Sequence, residues 1–244
     1  MEPTLSSVPA PAAEPPPWRW STSVVAFLFA LVALAALAAL ALLVPPRLVE
    51  GLPGDPGAAA AREALSGSAA LGFDGLRFHS ALLGEAGPDR AVPLVRVASA
   101  ARAESLLVAI ARRHPFDPLA HTALGSLSLA RHRWAEAESR YRRALDLRAT
   151  CPEARLGLGV ALAERALIET DALRARGLEL QAIAQFAAVT RAAQTYPQAL
   201  YDRALLLTHV GRDEEARRRV AEYMALDASS PWAARLADAV GSRR

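Results

Sequence analysis

A chain of 244 residues with a net charge of +3 has room for one domain, or for one domain plus a tail and an anchor, and its charge is too small for nucleic acid, which demands a clustered basic face. The residues are 52% hydrophobic but only 6% aromatic, so the apolar mass is mostly Ala, Leu and Val, a composition that favours helices over strands. The single cysteine, Cys151, excludes an intramolecular disulfide and any multi-cysteine metal site.

In chain order, residues 1–20 read as a Pro-rich tail and residues 21–44 as a transmembrane helix. The latter run, STSVVAFLFALVALAALAALALLV, is uncharged and closed by Pro45 and Pro46. At ~1.5 Å per residue it reaches roughly 36 Å, enough for a ~30 Å hydrocarbon core. Trp18 and Trp20 precede it at the interface, and Arg19 and Arg47 flank it. A cleaved signal peptide fits less well, because the apolar run exceeds a signal h-region and a tail carrying Glu2 and Glu14 precedes it. The flanking arginines are nearly balanced. A short tail before the anchor and a folded domain after it is the layout of a signal anchor, which places the C-terminal domain outside the cytoplasm, on a cell inner membrane. Residues 45–92 read as a poorly structured linker with Pro-Gly punctuation, a weakly helical Ala-rich patch over 58–65, and Phe73, Leu76, Phe78 and Leu82 as a short element that could dock on the helices downstream.

Residues 93–244 read as helical and repetitive. Pro118, Pro152, Pro197 and Pro231 stand 34, 45 and 34 residues apart. The first unit, 118–151, carries Leu124 and Gly125 in a first helix, then Ala137, Tyr141 and Ala144 in a second. The second, 152–196, carries Leu158 and Gly159, then Gly177, Ala182 and Phe186, with Val189 at the place of Ala144. It holds eleven extra residues, 166–176, which read equally as a lengthening of the hairpin that carries Leu167, Ile168 and Leu173 beyond the stack or as a plain surface excursion. The third, 197–230, has Gly211 at its turn and Ala216 in its second helix, but Arg203 and Ala204 for the Leu-Gly pair and Val220 for the aromatic. Ala103, Leu107 and Ile110 fit the second helix of a preceding unit, and residues 231–241 read as a capping helix.

This pattern resembles the tetratricopeptide repeat (TPR), a 34-residue helix–turn–helix unit. The resemblance covers about 140 residues. It implies an all-α fold: an α-solenoid of about three hairpins with a C-terminal cap, in which small residues let paired helices approach and neighbours bury a shared core. It also implies a groove for a peptide or partner helix, lined at the corresponding places by Thr122, Ser126, Leu129, Leu156, Val160, Glu164, Tyr201, Leu205 and His209. Thr122 and Ser126 stand where a subgroup that grips terminal carboxylates has basic and amide side chains, so that ligand is not expected.

Catalytic signatures are missing from the sequence. Gly157, Leu158 and Gly159 lack the third glycine and preceding strand of a dinucleotide loop, no lysine is present for a phosphate loop, and the five histidines do not follow metal-ligand spacing. The basic clusters Arg140, Arg142, Arg143 and Arg217, Arg218, Arg219 alternate with Glu as a solvated helix face does. The sequence therefore predicts no enzyme, no metal, no cofactor, no small-molecule substrate and no nucleic acid. Two functions are expected: a single-pass membrane-tethered scaffold for protein or peptide partners in a bacterial envelope complex, or a chaperone-like factor for translocated or maturing chains.

Overall fold

The computed structural model describes residues 55–65, 76–80, 84–85 and 97–241. The expected tail (1–20) and membrane helix (21–44) lie outside the described residues, as do Phe73 and Leu82. Among the described residues no helix is long and apolar enough to cross a membrane.

Helix α1 (Pro56–Leu65) comes first, followed by a short antiparallel pair, β1 (His79–Ser80) and β2 (Gly84–Glu85). Eight further helices follow: α2 (Val97–Arg113), α3 (Pro118–Ala130), α4 (Trp134–Leu147), α5 (Pro152–Ile168), α6 (Ala172–Ala187), α7 (Tyr196–His209), α8 (Asp213–Leu226) and α9 (Pro231–Gly241). Each packs on the next, and the first helices also stack on one another, α3 on α5 and α5 on α7. The described fold is therefore a stack of helical hairpins, as the proline spacing predicts.

Local chemistry sets the helix ends. Proline opens α3, α5 and α9, where its missing N–H is an orphan in any case. Asp117 caps α3 by accepting from the Leu119 amide at 2.9 Å, and Asp171 caps α6 by accepting from the Leu173 amide at 2.9 Å. The hairpin turns of the first and third units close alike. The amide of Arg133 bonds the Ser128 carbonyl and that of Arg212 bonds the Leu207 carbonyl, with His132 (φ 55°) and Gly211 (φ 75°) in the left-handed region between.

The core explains the small residues. Tyr141 of α4 is fully buried between Gly125 of α3 and Gly157 of α5. A Cβ on Gly125 would stand 2.8 Å from the Tyr141 ring, and one on Gly157 would stand 2.5 Å from its Cε1. One hairpin on, Phe186 of α6 fills the space beside Gly159, where a Cβ would meet its Cδ1 at 2.7 Å. Gly125 and Gly159 are thus close-approach positions. Leu124, Ala137, Ala144, Leu158, Ala182 and Ala216 are buried with them.

An ion-pair ladder runs between repeats. Arg131 at the end of α3 bonds Glu104 of α2, and Arg165 of α5 bonds Glu138 of α4. Both members of the second pair stand 34 residues after those of the first. At the next junction the same places hold Ile183 and Val210, both buried and apolar.

The eleven extra residues are divided between two helices. α5 has 17 residues to the 13 of α3. In the repeat register Glu179 matches Trp134, the first residue of α4, yet α6 begins seven residues earlier, at Ala172. Of the two readings of the insertion, the hairpin is the lengthened one, by one to two turns. Its tip leaves Leu167, Ile168 and Leu173 largely exposed, Leu173 at 86%. The shift puts Gly177 inside α6 instead of at a turn.

Within 45–92, expected as a poorly structured linker around a weakly helical patch over 58–65, that patch is a full helix, α1, and it is packed. Asp55 caps α1 through the Gly57 amide (2.8 Å) and receives the Arg113 guanidinium of α2 at 2.8 Å. Ala58, Ala61 and Leu65 form the buried stripe of α1, which packs on α2. The register would start a first helix at Gly84, but Gly84 lies in β2, and the helix on α2 comes from farther upstream.

Candidate functional site

The nine residues expected to line a groove are not equivalent in the fold. Thr122, Ser126, Leu129, Leu156, Val160, Glu164 and Tyr201 are buried, Leu205 is half-buried, and only His209 is exposed. The physical reason is packing on several sides. α3 is walled by α2, α4 and α5, and α5 by α3, α4, α6 and α7. The Thr122 hydroxyl is spent on its own helix, donating to the Pro118 carbonyl at 2.8 Å. The Ser126 hydroxyl donates to the Thr122 carbonyl (3.1 Å) and shares a hydrogen bond with the Tyr141 phenol (3.1 Å). Glu164 is buried on α5. These positions stabilise the stack and do not form an open surface.

Leu205 and His209 of α7 are less enclosed, and a segment of the chain's own upstream region lines a cavity with them. Leu76 and Phe78 are buried, as their apolar spacing led one to expect. Leu76 lines a cavity of about 270 Å³ together with Ala163, Leu167, Leu205 and His209. Glu179 of α6 completes this part of the lining, and His209 Nδ1 stands 2.7 Å from it.

Between Leu76 and Phe78, Arg77 enters a cage built by α7, α8 and α9. Its backbone amide donates to Asp202 Oδ1 of α7 at 2.6 Å. Its Nη1 donates to the Tyr223 hydroxyl of α8 at 2.5 Å and to Asp227 Oδ2, just past α8, at 3.0 Å. The guanidinium carbon lies 5.7 Å from the Trp232 ring centre and 5.9 Å from that of Tyr223, within cation–π range of both. Only 11% of the Arg77 side chain is exposed.

The cage walls are held independently of Arg77. Tyr201 meets Tyr223 edge-on at 5.7 Å and Trp232 at 5.1 Å. The Tyr223 hydroxyl donates to Asp227 at 2.9 Å, and Ser230 Oγ caps α9 by accepting from the Ala233 amide at 3.3 Å. Burial alone would push the Asp227 carboxyl up, but hydrogen bonds from Ser230, Tyr223 and Arg77 outweigh it and hold the group below its ordinary range. Burial pushes the Tyr201 and Tyr223 phenols up, so both stay neutral and Tyr223 remains a donor.

Sequence reasoning missed Arg77, Asp202, Tyr223, Asp227 and Trp232. One signal was present: Tyr223 is a bulky aromatic at the place where the first unit has Ala144, so it has to occupy space outside its own hairpin. Among the described residues no group of three or more His, Cys, Asp or Glu is placed to hold a metal.

No protein-family profile matches the chain, and no curated protein matches it. Among solved structures, the chain is similar to a thermophilic TPR protein of Thermus thermophilus. The two share 17% identity over 60% of this chain and 73% of that one, with a TM-score of 0.49.

Proposed function

We propose that this protein is a tetratricopeptide-type scaffold, non-catalytic and tethered by one N-terminal membrane helix, which holds protein partners for an assembly of the bacterial envelope. One observation carries the reading. The α7–α9 end of the hairpin stack already holds an extended stretch of polypeptide through its backbone amide, an arginine and two apolar side chains. A scaffold needs that mode of recognition. The tether rests on the uncharged run at 21–44 and its aromatic and arginine flanks. The signal-anchor layout supports an extracytoplasmic position for the stack.

In vivo cross-linking of the full-length chain, followed by mass spectrometry, tests the reading. A fixed, stoichiometric protein partner is expected. Many substoichiometric unfolded clients would replace the scaffold with the chaperone-like function, and no cross-linked protein at all would refute both. Reporter fusions at the C-terminus and at Pro45 test the tether. Activity of the C-terminal fusion on the cytoplasmic side would overturn the orientation.

A further inference from the structure

We infer that the cage of Asp202, Tyr223, Asp227 and Trp232 is a recognition site for an arginine set between two apolar residues in an extended peptide. The chain's own Leu76, Arg77 and Phe78 fill it in cis, and a partner of the same pattern takes their place. This deepens the scaffold reading and rests on it.

The contacts define the ligand's chemistry. Asp202 takes a backbone amide, which any extended peptide offers, so this bond fixes the strand without reading its sequence. The guanidinium is read in three ways at once, by the Tyr223 phenol, the Asp227 carboxylate and the Trp232 ring. That combination selects arginine over lysine, because a planar fork can stack and bond together whereas an ammonium is a compact, strongly hydrated point. The flanking side chains are sorted by apolar space, with Leu76 at the 270 Å³ cavity and Phe78 in the core. Two carboxylates on the cage complement a cationic segment and favour its encounter.

The walls are braced against one another by the Tyr201–Tyr223 and Tyr201–Trp232 contacts and the Tyr223–Asp227 bond, so the site persists when its occupant leaves. An occupant on the same chain acts at an effective concentration of about millimolar. A free peptide with identical contacts therefore competes poorly until the resident arginine is weakened.

The test uses full-length protein in detergent and a fluorescein-labelled peptide DGLRFHSAL, the sequence of residues 74–82. Fluorescence anisotropy should show the R77A chain binding this peptide at least about tenfold more tightly than the wild-type chain, since the tethered competitor is gone. The same peptide with alanine for arginine should bind at least about tenfold more weakly, and adding W232A to R77A should abolish the signal. Equal binding by wild type and R77A, or no preference for the arginine peptide, overturns the cage. Should R77A lose its helical circular dichroism, the wild-type chain serves instead. Excess peptide should then speed hydrogen exchange at the Arg77 amide, and unchanged exchange at saturating peptide overturns the proposal. A partner cross-linking to R77A at the α5–α6 tip, with no peptide binding, would sink the cage and leave the scaffold reading standing.

Discussion

Gly157→Ala is the sharpest perturbation of the stack, because one methyl group has nowhere to go. The new Cβ would lie 2.5 Å from Tyr141 Cε1, where about 3.5 Å or more is ordinary between carbons. The ring cannot retreat toward α3, since Gly125 already sits at a distance where its own Cβ would be 2.8 Å away. Retreat would also break the 3.1 Å bond between the Tyr141 phenol and Ser126. Overpacking of this kind costs ~1–3 kcal/mol, against which alanine's better helix propensity recovers ~1 kcal/mol. Overlap with three atoms of Tyr141 puts the overpacking cost toward ~2–3 kcal/mol, so a net destabilisation of about 1–2 kcal/mol is expected. Urea melts followed by circular dichroism at 222 nm measure it, with Gly177→Ala as an internal control. Gly177 lies inside α6, a Cβ there would meet nothing within 4 Å, and the same substitution should stabilise by ~0.5–1 kcal/mol. The result that refutes the packing is G157A melting at or above wild type; Tyr141 would then not lie between the two glycines.

Three further outcomes are expected. Gly211→Ala should lower stability by ~1–2 kcal/mol, because φ of 75° puts a Cβ in the disfavoured left-handed region, and a matched thermal melt reads the loss. Glu138→Ala should cost ~1–3 kcal/mol, since it strips a buried carboxylate from Arg142 and Arg165; an unchanged midpoint would deny the inter-repeat ladder any energetic role. Acid should loosen both ends of the described fold. The Arg113 hydrogen bonds hold Asp55 below its ordinary range against burial, and Asp227 is held low as well. Folded-state values below the unfolded ones mean stability that is present above the usual carboxylate range and lost as pH falls through the folded values, below about pH 4. Near-ultraviolet circular dichroism, compared between wild type and W232F, reports the cage; a flat signal from pH 6 to pH 2 would contradict the assignment.

The hairpin stack was legible in the sequence because its packing is local and repetitive. A helix pair that approaches closely needs a small residue opposite a ring, and that requirement recurs at Gly125 with Tyr141 and at Gly159 with Phe186. Gly157 carried the same information but reads as a mere neighbour of Gly159, because its partner ring belongs to the preceding hairpin. The ladder was visible too, as Glu104 and Glu138, Arg131 and Arg165 at one period, yet charges at helical spacing look like solvated surface until the partners are seen. The site itself was legible only in fragments. Leu76 and Phe78 announced a docking element through their apolar side chains. Their docking surface lies more than 120 residues away, at Asp202, and no periodic pattern encodes that pairing. Assigning a groove by place in the repeat assumes one open face, whereas α3 and α5 are enclosed by their neighbours.

Helix α9 ends the described stack and also supplies Trp232 as one wall of the cage. The same helix is held to α7 and α8 through Trp232, Ala233 and Leu236. Arg77 is therefore gripped only as firmly as α9 is seated, and a substitution at buried Leu236 would shift one aromatic wall of the cage through the helix that carries it.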